Sequence, residues 1–100
     1  MNDVSLETFE KAIKATHGAK AKLLARERVE EVFEGEPVWR GEVLVFELLD
    51  HPSASRCYAW EADKEITAVL GEGTVDSPIA AVRAYILATD FLARKKGKRT

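Results

Sequence analysis

The stretch that decides the fold is GEVLVFELLDHPSASRCYAWEADKEITAVLGEGTVDSPIAAVRAYILATDFL, Gly41 to Leu92. It reads as strands feeding one helix. Val38 to Leu49 is rich in β-branched and aromatic residues, with Arg40 and Gly41 as an expected irregularity. Asp50 to Ser53 turns, Arg56 to Glu61 extends, Ala62 to Lys64 turns, and Glu65 to Leu70 extends again. Connections this short imply an antiparallel meander. The helix start is sharp: Asp76 and Ser77 supply capping oxygens, and Pro78 stands where no amide donor is needed. Ile79, Ala81, Val82, Tyr85, Ile86, Ala88, Phe91 and Leu92 form an apolar stripe wide enough to cover a sheet. A long helix is expected from Pro78 to Arg94 or Lys96, with cations at its carbonyl end and Gly97 as terminator.

Working outward, Ser5 caps a first helix in which Leu6, Phe9, Ala12 and Ile13 recur at spacings of three and four, until His17 and Gly18 end it. Ala19 to Glu34 admits two readings. Ala21, Leu24, Ala25, Val29, Val32 and Phe33 fit a helical face, and propensity favours helix. Leu23, Ala25, Val29 and Phe33 fit a strand, and Glu34, Gly35, Glu36 and Pro37 make the short turn a hairpin requires, so a strand is expected. The fold class is therefore α+β: an N-terminal helix, a four-stranded antiparallel meander and a long C-terminal helix, with both helices on one sheet face. Residues 1–96 form one domain and 97–100 a basic flexible tail.

Composition bounds the function. One hundred residues, 46% hydrophobic and 32% charged, make a single ordinary domain. The longest uncharged apolar run, Val43 to Phe46, is far below the ~18 residues of a membrane span. Met1 to Val4 lacks the basic and apolar regions of a signal peptide, so a cytoplasmic address is expected, with no membrane partner. A single cysteine, Cys57, agrees with a reducing compartment. Residues 1–93 carry 10 bases against 17 acids, a net −7, whereas Arg94 to Thr100 carries five bases and no acid. An acidic body argues against a phosphate-binding face and leaves the tail as the route to nucleic acid.

Chemistry-bearing residues are few. His17, His51 and Cys57 would have to supply any Cys/His nucleophile or zinc site, and their spacing supports neither. An enzyme would need a site near His51 and Cys57. His51 before Pro52 reads as a turn residue, His17 as a cation at a helix end, and Cys57 as a small buried strand residue. Glu30 with Glu31, and Asp63 with Glu65, read as surface charges. Gly71, Glu72 and Gly73 resemble a phosphate cradle only superficially, because Glu72 and Asp76 put negative charge where phosphate would sit. No catalytic residue, metal or cofactor is expected.

The strands carry a tension that points to a partner. Val43, Leu44, Val45, Phe46, Leu48 and Leu49 occupy both pleat directions, and Tyr58 with Trp60 opposes Cys57 with Ala59. Helices gathered on one face leave the other apolar face to a second chain, a ligand or a strongly curled sheet. The expectation is a protein-interaction or regulatory domain acting as a homodimer, or binding another protein, with Trp39, Tyr58 and Trp60 as candidate interface residues.

The helix, meander, helix order is similar to the double-stranded-RNA-binding fold. Arg56 to Ala93, with Gly71 to Ala81 joining a strand to an alanine-rich helix, resembles the core of HicB-type antitoxins. The first resemblance implies lysines at the start of the second helix, where this chain has Asp76, Ser77, Pro78, Ile79 and Ala80. The second implies a nucleic-acid-associated regulator, here using the basic tail.

Overall fold

The structure of the protein is a computed structural model that describes residues 5–62 and 64–97, with side chains described for these except at Phe33 and 89–97. Helix α1 (Leu6–His17) starts where Ser5 Oγ accepts the Thr8 amide at 3.2 Å and ends at Gly18, whose φ of 74° is the left-handed cap. Phe9 and Ile13, one turn apart, bury its inner stripe.

Four strands follow in spatial order β1-β2-β3-β4, all antiparallel: β1 (Lys20–Phe33), β2 (Glu36–Leu49), β3 (Arg56–Ala62) and β4 (Glu65–Leu70). The expected hairpin forms. Glu34 and Gly35 turn with φ of 54° and 81°, the paired positive values whose twist matches the flanking strands. The chain closes with α2 (Pro78–Gly97), capped by Ser77, whose Oγ accepts the Ala80 amide at 3.2 Å and whose carbonyl accepts that of Ala81 at 3.0 Å.

The helices do not share a face. Phe9 and Ile13 of α1 pack with Leu44, Phe46, Leu48, Cys57 and Ala59 on one side of the sheet. Ala81 and Val82 of α2 pack with Val43, Val45, Tyr58 and Trp60 on the other. The physical reason is the alternation of β2 and β3: both pleat directions are apolar, so each needs cover, and one helix goes to each. The covering part of α2 is also shorter than expected, since its described packing comes from Pro78 to residue 88.

One irregularity lies in β1 and one in β2. Leu23 pairs with Phe46 but Ala25 pairs with Val45, so Leu24 is an extra residue. Ala21 and Leu23 face α1, and beyond Leu24 the odd-numbered Val29 joins the α2 core instead. The second shift lies opposite Glu31 and Val32, whose partners Trp39 and Pro37 leave Val38 of β2 as the extra residue. The expected break at Gly41 is absent, because Gly41 pairs regularly with Val29.

Candidate functional site

Gly41 has a different task. A β-carbon there would meet the Trp39 ring at 3.0 Å, so the missing side chain lets the indole lie over the backbone of β2. Trp39 then meets Trp60 edge-on, with centroids 5.4 Å apart at 72°, and Trp60 meets Tyr85 of α2 at 5.4 Å and 81°. Edge-to-face contact is the arrangement ring quadrupoles favour. Of the candidate interface residues, Trp60 is 1% exposed and Tyr58 is 2% exposed, with Trp39 half-buried beside them. The structure brings all three together beneath α2 of the same chain.

The nucleophile and base candidates have structural tasks. Cys57 is fully buried in the α1 core, and burial pushes its thiol up to about 12, with a backbone hydrogen bond involving Val69 acting the other way. A thiol held in its neutral form is a poor nucleophile. His51 Nδ1 accepts the amides of Ser53 at 3.2 Å and Ala54 at 3.0 Å, so its lone pair closes the β2–β3 turn. His17 Nε2 donates to the Ala68 carbonyl at 3.1 Å and ties the end of α1 to β4. Glu30 pairs with Arg40, and Glu31 with Arg83, each at 3.0 Å. Glu72 accepts from Ser53 Oγ, and Asp63 lies outside the described residues. Among the described residues no cluster of three His, Cys, Asp or Glu side chains is placed to hold a metal ion, and no helix is long and apolar enough to cross a membrane. The tail, residues 97–100, lies outside the described side chains.

Two surface features remain. β2 pairs with β3 from Leu44 to Glu47, so among the described residues Glu36 to Val43 has β1 on one side and no strand on the other. At this divergence lies an open cleft of about 420 Å³, lined by Ser5, Leu6, Phe9, Arg26, Glu42, Leu44 and Glu61. Arg26 and Glu42 meet there at 3.6 Å, and Glu61 adds a second acid to the lining.

The other feature is the outer edge of β1, fourteen residues with no neighbouring strand on that side among the described residues. Its charges are segregated. Lys20 to Arg28 holds four bases and Glu27, a net +3, while Val29 to Phe33 holds Glu30 and Glu31 and no base, a net −2. Leu24 and Val32 on this strand are 45% and 50% exposed. Ala19 to Glu34 admitted both helix and strand, the strand was the expectation, and β1 occupies Lys20–Phe33; its free edge was overlooked, although the change of sign along it is visible in the sequence.

Comparison with protein-family models, curated proteins and solved structures finds no match to this chain. The two resemblances of element order therefore gain no support from them.

Proposed function

We propose that this chain is a protein-interaction or regulatory domain that acts as a homodimer. The observation that carries the reading is the free edge of β1, fourteen residues against six for the opposite edge strand β4. A strand edge is a row of unpaired amides and carbonyls, a template for another strand. Closed twofold pairing is the commonest way a chain satisfies such an edge with itself. The thiol and both imidazoles are already engaged in packing, a turn and an inter-element hydrogen bond, which favours recognition over catalysis. Light scattering across a dilution series tests it: a dimer at the upper concentrations is expected, and a monomer throughout refutes it.

A second reading rests on charge alone, the five bases of Arg94 to Thr100 against a body of −7. Nucleic-acid binding that disappears on removing Arg94 to Thr100, and that weakens steeply with salt, would favour it.

A further inference from the structure

Resting on the homodimer reading, we infer that two copies join through the outer edges of β1, antiparallel about a twofold axis perpendicular to the sheet at Arg28, to make one continuous eight-stranded sheet. Along the edge the sign runs from +3 over Lys20 to Arg28 to −2 over Val29 to Phe33. Antiparallel pairing of a strand with itself reverses one copy, so the basic half of each lies against the acidic half of the other. Parallel pairing would set like against like. The same charges oppose pairing with strands of other sequence, which is how a long edge stays specific.

Register follows from side-chain alternation and the exposed apolar residues. From Ala25 to Glu31 the pairing with β2 is regular, and Arg26, Arg28 and Glu30 lie opposite Leu44, Glu42 and Arg40, on the α1 side of the sheet. An axis at Arg28 sets Arg26 against Glu30 of the partner subunit and Leu24 against Val32 of the partner subunit. Each pair occurs twice. Among the described side chains of β1, Leu24 and Val32 are the large apolar ones that stand exposed in the single chain, and this register uses both. Moving the axis by one residue toward either end of the strand sets Glu27 against another acid, itself or Glu31, and separates Leu24 from Val32. The chosen register does place the two Arg28 guanidinium groups together at the axis.

That last point makes the inference testable by gain as well as loss. Arg28→Val removes the like-charge meeting and should tighten the dimer severalfold. Leu24→Glu and Val32→Lys, each at a half-exposed position, should weaken it about tenfold because each change enters twice. The double variant Leu24→Glu with Val32→Lys sets opposite charges across the interface and should recover most of the loss. Sedimentation equilibrium measures all four, with far-UV circular dichroism confirming that each stays folded. A dimer indifferent to these changes refutes the β1 edge while leaving the homodimer reading intact. A wild-type chain that is monomeric at every concentration overturns both. Failure of the double variant to recover, with both single variants weakened, refutes the register.

Discussion

Replacing Trp60 with alanine tests the central packing arrangement. Trp60 is 1% exposed, and its ring meets Trp39 and Tyr85 edge-on at 5.4 Å each, so truncation removes an indole and opens a cavity between β3 and α2. Truncating a buried tryptophan costs about 3–5 kcal/mol once the cavity is included. A domain of this size holds only about 5–15 kcal/mol in total, so the variant retains a fraction of its stability or fails to fold at moderate temperature. With a urea slope of roughly 1.5 kcal/mol per molar for a small domain, the midpoint should fall by about 2–3 M at unchanged slope. Urea titration followed by circular dichroism at 222 nm reads this directly, and Trp60→Phe, which keeps a ring in the site, should lose less. A loss below about 1 kcal/mol would refute the reasoning, since a side chain buried this deeply cannot be removed cheaply. So would a loss seen only at concentrations where the chain is dimeric, because it would mean that a second chain, and not α2, covers the indole.

Ser77→Ala removes the acceptor for the Ala80 amide and should lower stability by ~1 kcal/mol in a thermal melt, with the fold retained. Gly41→Ala drives a β-carbon to 3.0 Å from the Trp39 ring; it should cost about 1–3 kcal/mol through overpacking and shift tryptophan emission to the red as the indole lifts away. Cys57 gives a pH dependence whose sign is fixed by burial: its thiol is raised from 9.0 to about 12 in the folded chain, so ionisation favours the unfolded state. Its effect is flat below pH 9 and destabilising above, reaching about 1.4 kcal/mol one unit higher; Cys57→Ala should lack that increment in urea titrations at pH 8 and pH 10.

Much of the architecture is legible in the chain because its signals are local. Ser5 and Ser77 cap helices wherever those helices pack, and Glu34-Gly35 turns whatever lies above the hairpin. The helix placement was not legible in the same way: Phe9 and Val82 are both plain inward-facing residues, and nothing in either says which side of the sheet it seeks. The apolar excess on both pleat directions did contain the answer, but it was met by one helix per face and not by both on one. Leu24 was hidden more deeply. Ala21, Leu23, Ala25 and Val29 keep a single odd phase along the sequence, so the transfer of β1 from one core to the other leaves no mark except the extra residue itself. Tyr58 and Trp60 were hard to place for a related reason, since they look alike in sequence whether a foreign chain or α2 covers them.

The position of α2 in the chain has a consequence for biosynthesis. All four strands precede it, and neighbouring strands are consecutive, so the meander and α1 can assemble as the polypeptide emerges from the ribosome. During that interval Val43, Val45, Tyr58 and Trp60 form a bare apolar sheet face, because the residues that cover it, Ile79, Ala81, Val82 and Tyr85, have yet to be made. A chain stalled before Pro78 would present that face to chaperones and to other nascent chains, a hazard that the completed helix removes.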